Sequence, residues 1–138
     1  MKKLLLALAI GTASLVSFSS CTKETINYTN GYSYVYTVES SQWQAITDAK
    51  RPTYEAVIDV PDLDKQYFED GEVSVAALFA RNPDFYEIIP GSIGDYHFTA
   101  NYGIGSVAVY AEYRGSGAPV RPEKMLIKVV LTDATPGN

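Results

Sequence analysis

The sequence predicts an all-β domain: a single antiparallel, immunoglobulin-like β-sandwich of about seven or eight strands with one short helix. Three observations predict this fold class. Short runs rich in Val, Ile, Tyr and Phe alternate with polar residues at a period of two, as strands with one buried face do. Clusters of Gly, Pro and Asp separate the runs. The runs recur roughly every 8–12 residues, which is the spacing of sandwiches and barrels.

The predicted strands share this alternation and end at turn-forming residues. They are Tyr32 to Glu39, Trp43 to Ile46, Tyr54 to Val60, Val73 to Phe79, Phe85 to Ile89, Tyr96 to Tyr102, Ser106 to Tyr113 and Lys124 to Thr132. The first strand places Tyr32, Tyr34 and Tyr36 on one face, because successive side chains of a strand point to opposite sides. Between two later strands, the stretch 82–84 (Asn-Pro-Asp) predicts a turn.

Residues 62–70 break the alternation and predict a short helix that bridges two sheets. Asp62 is a suitable N-cap, and Leu63 and Tyr67 stand at i and i+4. Gly71 is placed to end the helix in a left-handed conformation. The predicted domain covers residues 32–133 and is followed by a tail at 134–138. A small closed β-barrel has the same local signals and remains an alternative.

The N-terminus has the pattern of a signal peptide. Lys2 and Lys3 precede an apolar run from Leu4 to Val16, which is shorter than the roughly 20 residues that a membrane-spanning helix needs. Residues 1–20 are therefore predicted to be removed.

The end of that run, Phe18-Ser19-Ser20-Cys21, resembles a relaxed lipobox of bacterial lipoproteins of the Bacteroidetes type. The mature region is also similar to small Tyr-rich lipoproteins of unknown function. The resemblance implies a diacylglycerol thioether on Cys21 and attachment to the outer membrane on its periplasmic or outer side. Residues 21–31 are predicted to form a flexible tether, because they are polar and show no sustained periodicity. Ordinary secretory cleavage after Ser19, which leaves Cys21 as a free thiol, is the alternative.

Size and charge limit the classes of partner. Without residues 1–20, which hold two of the eleven basic residues and no acidic residue, the chain has 118 residues and a formal net charge of −7. A chain of this length makes one domain and buries enough surface to fold without disulfides. The acidic balance argues against nucleic acid as a partner.

Catalytic and metal-binding signals are weak. Asp95 and the only histidine, His97, point the same way from one strand, but no serine elbow motif accompanies them. Paired carboxylates of a glycosidase are a remote alternative, since most of the candidates fall in turns or on outward positions. Asp62 and Asp64 fit the start of a calcium loop whose glycine and closing glutamate are missing. We therefore predict no enzyme activity, no metal and no cofactor.

The most distinctive feature of the composition is tyrosine: all eleven tyrosines lie after Cys21. Tyr32, Tyr34, Tyr36 and Trp43 are the candidate platform for a ligand, since aromatic rings offer a rigid apolar surface with a polar tip. The alternative is that they only stabilise the sheet. The leading hypothesis is a non-catalytic binding or interaction module with a glycan or an envelope protein as its partner. An assembly subunit that pairs through sheet edges is second, and an enzyme third.

Overall fold

The computed structural model describes residues 31–137, which form two antiparallel β-sheets. The predicted signal peptide, the lipobox with Cys21 and nearly all of the tether lie outside the described residues. Within 31–137 no helix is long and apolar enough to span a membrane.

The first sheet has four strands, and the last strand of the chain lies inside it. Its members are β1 (Gly31–Val38), β4 (Glu72–Phe79), β5 (Asn82–Ile89) and β9 (Met125–Thr132). The order across the sheet is β1-β9-β4-β5. Strand β9 pairs along its whole length with both neighbours, from Gly31↔Thr132 to Val38↔Met125 on one side.

The second sheet has five strands, in the order β2-β3-β8-β7-β6. They are β2 (Gln44–Ile46), β3 (Thr53–Asp59), β6 (Gly91–Ile93), β7 (Tyr96–Gly103) and β8 (Ser106–Tyr113). Its two outer strands have three residues each. A 3₁₀ turn at Ser40–Gln42 precedes β2, and the helix α1 (Lys65–Glu69) leads from β3 of this sheet to β4 of the other.

The core lies between the two sheets and comes from the inward residues of both. Ile127 and Val129 of β9 and Val107 and Val109 of β8 are fully buried. They stand at every second position, so the alternation in the sequence was a correct guide to which face is buried. Because the two sheets stay separate, the predicted sandwich is confirmed and the barrel alternative is wrong.

Residues 31–137 form nine strands, one more than the eight runs that the sequence indicated. The additional strand is β6, which begins at Gly91 directly after Pro90, where the composition indicates a turn. The turn predicted at Asn82 to Asp84 is wrong, because these residues already belong to β5. Pro83 is tolerated there since β5 is an outer strand whose pairing with β4 shifts register between Ala77 and Phe79.

The predicted helix is shorter and begins later than expected. Asp64, not Asp62, is the N-cap: its Oδ1 accepts a hydrogen bond of 3.1 Å from the Tyr67 amide. The predicted role of Gly71 is also wrong, because its φ is not positive. A Cβ at Gly71 would lie 2.7 Å from the Thr132 carbonyl oxygen, so glycine is needed there for close approach of two backbones.

Candidate functional site

The three tyrosines of β1 stand in a row on the inner face of the first sheet. Their partners across the strand pair are three buried residues of β9: Leu131, Val129 and Ile127. Because β1 is an outer strand, the row lies at the open side of the sandwich. Tyr32 is 52% exposed, and Tyr34 and Tyr36 are half-buried. The row therefore presents aromatic surface to solvent while its inner part packs against the core.

The rings of the row follow one another at nearly constant spacing. The Tyr32 and Tyr34 centroids are 6.1 Å apart with the planes inclined by 22°. Tyr36 continues the row at 6.1 Å from Tyr34. The ring of Tyr67 on α1 meets Tyr32 edge-on at 6.2 Å. Such distances lie in the favourable range for aromatic pairs, so each ring fixes the next.

Acidic and amide side chains border the row where β3 leads into α1 and where β9 ends. A cavity of about 300 Å³ is lined by Tyr32, Pro61, Asp62, Asp64, Gln66, Tyr67 and Asp133. The Gln66 amide donates a hydrogen bond of 3.0 Å to Asp133 Oδ1. We call the tyrosine row, Tyr67 and this cavity the tyrosine groove. Among the described residues, its cavity is lined by three carboxylates and no basic side chain.

One hydrogen bond joins the row to the acidic border. The Tyr34 hydroxyl donates to Asp62 Oδ2. This bond, together with partial burial and the negative charge of Asp62, raises the pKa of Tyr34 to about 12. Partial burial is the main cause that raises the pKa of Tyr36 and of Tyr67. All three hydroxyls therefore remain neutral donors at physiological pH.

We expect a group of late-titrating tyrosines, with Tyr34 among the last. Because its pKa is higher in the folded chain than the ordinary value of 10.0, the Tyr34 hydrogen bond contributes fully to stability below pH 10 and is lost as pH rises towards 12. The measurement is tyrosinate absorbance against pH. Tyr34→Phe should remove the component near pH 12, and Asp62→Ala should move it to lower pH. An unchanged titration curve in both variants would contradict the assignment.

Trp43 does not belong to this surface, and its predicted place in the platform is wrong. It is fully buried and packs edge-on against Phe98 with centroids 6.3 Å apart. Trp43 directly follows the 3₁₀ turn at Ser40–Gln42, and its backbone N–H donates a hydrogen bond to the Ser40 carbonyl. The indole nitrogen has no hydrogen-bond partner among the residues that the structure describes.

The structure does not place Asp95 beside His97. Asp95 lies in the turn before β7, whereas His97 Nδ1 is 3.0 Å from Ser92 Oγ across the β6–β7 pair. Sequence reasoning missed this serine because it missed β6. Neither Ser92 nor His97 lines the cavity of the tyrosine groove.

Glu112 lies across from His97 on β8 but is held by other groups. Arg114 Nε donates to Glu112 Oε1 at 2.8 Å, and this hydrogen bond lowers the pKa of Glu112. Within 31–137, no group of three or more His, Cys, Asp or Glu side chains is arranged to hold a metal ion.

The tyrosine groove thus contains the predicted site residues Tyr32, Tyr34 and Tyr36, together with residues from distant parts of the chain. Sequence reasoning missed the contributions of Gln66, Tyr67 and Asp133. The alternation of residues in β1 predicted the tyrosine row, but no sequence pattern near β1 indicated which loops border that row. Comparisons with protein-family models, with curated proteins and with solved structures gave no match.

Proposed function

We propose that this protein is a non-catalytic binding module of the cell envelope, anchored at the outer membrane through Cys21, and that its tyrosine groove binds a neutral glycan. The observation that carries the proposal is the row of closely spaced, partly exposed tyrosine rings beside a cavity lined by carboxylates. A row of rings suits an extended ligand better than a single small molecule, since several units can lie along it.

The chemistry of the groove matches a sugar from two sides. Aromatic faces bury the apolar C–H face of a sugar ring. Carboxylates accept hydrogen bonds from sugar hydroxyls, and the side-chain amide of Gln66 both donates and accepts. A few well-placed polar groups around an apolar surface are typical of ligand sites.

The charge of the groove selects among glycans. Asp62, Asp64 and Asp133 line the cavity, and no basic side chain of residues 31–137 lines it with them. An anionic sugar would place like charges close together, which costs binding free energy. Neutral sugars avoid this repulsion, so we expect them to bind in preference to acidic ones.

The first experiment is a glycan array and a pull-down with the unlipidated chain from Thr22 to Asn138, which contains the whole described sandwich. We expect a neutral glycan to bind and Tyr32→Ala to weaken its affinity about tenfold or more, since tenfold corresponds to roughly 1.4 kcal/mol. Tyr32 is the most exposed ring of the row, so its removal should leave the fold intact.

The matched control is Tyr102→Ala, which removes an exposed tyrosine on β7 outside the groove. It should bind the glycan as the unchanged protein does, and circular dichroism should show both variants folded. Glycan binding that survives Tyr32→Ala would contradict the proposal for the groove. Protein partners without any glycan would favour the assembly hypothesis instead.

The anchor is tested separately by Cys21→Ser. We expect this change to move the protein from the membrane fraction to the soluble fraction, because the lipid is attached to the thiol that is lost. The control variant Thr22→Ser keeps the Cys21 thiol and should remain in the membrane fraction. A Cys21→Ser protein that still sediments with membranes would contradict lipid anchoring.

A second candidate function, assembly through a sheet edge, is favoured by the apolar surface of β5. Phe85 is 63% and Ile88 is 77% exposed on this outer strand. Beside it lies a largely apolar cleft of about 510 Å³, lined by Ile88, Ile89 and Tyr102 among others. An exposed apolar outer strand is able to pair with a strand of another chain.

A further inference from the structure

A second cavity lies at the end of the sandwich away from the tyrosine groove. In the pairing of β4 with β9, Glu72↔Thr132 marks the end near the groove and Phe79↔Met125 the other end. Phe79 and Met125 line this second cavity, which has a volume of about 300 Å³. That volume is at the lower end of the range for small-molecule sites.

The inner wall of the cavity is aromatic and fixed. Phe98, which is buried, has its ring centroid 5.6 Å from that of Phe79 and 5.8 Å from that of Tyr96. The Tyr113 ring meets Tyr96 edge-on at 5.6 Å. Four rings that fix one another form a preformed apolar surface, so a ligand pays little ordering entropy there.

One side of the cavity is closed by residues 114–124, which form neither strand nor helix. Two features fix the part of this segment that lines the cavity, residues 120–123. The Tyr96 hydroxyl donates a hydrogen bond to the Val120 carbonyl, and Pro122 is fully buried. Because its hydroxyl is satisfied within the protein, Tyr96 offers a ligand its ring and not its polar tip.

Four charged side chains stand around the cavity: Arg81, Asp95, Arg121 and Glu123. Among the described residues none of them forms an ion pair within 4.0 Å. By contrast, the other two arginines of residues 31–137, Arg51 and Arg114, both pair with Glu112. The cavity thus has two guanidinium groups and two carboxylates that form no ion pair with any residue between 31 and 137.

The position of Arg81 is defined by packing. Its Cζ lies 5.4 Å from the Phe79 ring centroid, and its guanidinium group rests against Gly94. A Cβ at Gly94 would lie 2.7 Å from Arg81 Nη2, and the φ of +60° at this residue favours glycine. The glycine in the turn before β7 thus leaves room for the guanidinium group, which can bind a carboxylate.

We propose that this cavity binds a free α-amino acid with an aromatic or large aliphatic side chain. The arginines bind its carboxylate, Asp95 and Glu123 bind its ammonium group, and the ring-lined wall takes its side chain. A zwitterion can pair with both the arginines and the carboxylates. A simple anion would be repelled by the carboxylates, and a simple cation by the arginines. Because the charged side chains are exposed, each ion pair is partly screened and contributes modestly.

The proposal does not rest on the tyrosine groove, because the two sites share no residue. Its test is a titration of the unlipidated chain from Thr22 to Asn138 with L-phenylalanine, followed by NMR and calorimetry. We expect saturable binding in the micromolar to low millimolar range, with shifts at Phe98 and at residues 94–96 and 120–123. N-acetyl-L-phenylalanine, which lacks the ammonium group, and L-phenylalaninamide, which lacks the carboxylate, should each bind about tenfold more weakly or worse.

Variants separate this site from nonspecific apolar binding. Arg81→Gln and Arg121→Gln should each weaken L-phenylalanine binding about fivefold or more, in proteins whose unfolding midpoints show them folded. Arg51→Gln, at an arginine paired elsewhere, and Tyr32→Ala, in the tyrosine groove, should have no effect. Absence of shifts around the cavity at about 10 mM ligand, or equal binding of the acetylated and amidated analogues, would overturn the proposal.

Discussion

Trp43→Ala is expected to lower the free energy of unfolding by about 3–5 kcal/mol, which is the usual cost of truncating a large buried aromatic residue. The indole is fully buried and contacts the core through Phe98. Its loss leaves a cavity between two open sheets whose backbones are fixed by long ladders of hydrogen bonds, so the surroundings collapse little. Urea denaturation followed by circular dichroism measures the change, since the variant lacks the only tryptophan.

Trp43→Phe is the matched variant. The indole nitrogen has no hydrogen-bond partner among the described residues, so phenylalanine loses packing volume but no such bond. Both variants remove the cost of burying an unpaired donor, about 1–3 kcal/mol, but phenylalanine keeps an aromatic ring in the core. We therefore expect Trp43→Phe to destabilise by less than half as much as Trp43→Ala. Equal costs would mean that the indole N–H has a partner essential to the fold.

Gly71→Ala is the second substitution with a large expected effect, a destabilisation of about 1–3 kcal/mol. The added Cβ would lie 2.7 Å from the Thr132 carbonyl oxygen and 3.0 Å from the Cα and the carbonyl oxygen of Tyr67. All of these atoms belong to backbone, so relief requires that α1 and the end of β9 move apart. The same urea experiment measures the effect.

Gly103→Ala provides the control for Gly71→Ala. A Cβ at Gly103 meets no atom within 4 Å, and its φ is not positive. Alanine there should be neutral or stabilise by about 0.4–1 kcal/mol through the unfolded chain. If both alanine variants were equally stable, the close approach at Gly71 would not be the reason for glycine.

The fold was predictable where alternation extended over a whole strand. Ala56, Ile58 and Val60 are buried as the pattern indicated. The strand β6 was missed, because it begins at Gly91 directly after Pro90, and such a Pro-Gly pair indicates a turn. The helix start was misplaced by two residues because Asp62 and Asp64 have the same capping chemistry, and only the Asp62 contact with Tyr34 separates their roles.

The candidate sites were predictable only in part. The tyrosine row lies on one strand, so the spacing of Tyr32, Tyr34 and Tyr36 revealed it. Trp43 was included because it is also aromatic, but it is buried. No pattern in the neighbouring sequence distinguishes this buried ring from the exposed ones. The second cavity brings together Arg81, Asp95 and Arg121 from three separate loops. Their proximity depends on tertiary packing, so no local sequence pattern predicts it.

The position of β9 has a consequence for the order in which the domain can be completed. This strand lies between β1 and β4, yet the ribosome makes it after both of them. During synthesis the four-stranded sheet therefore lacks an interior member, and β1 lacks the one strand of residues 31–137 that pairs with it until Met125 to Thr132 emerge. Because contacts between such distant segments close slowly, we expect nascent chains that stop before residue 125 to remain without a native first sheet, sensitive to protease and dependent on chaperones.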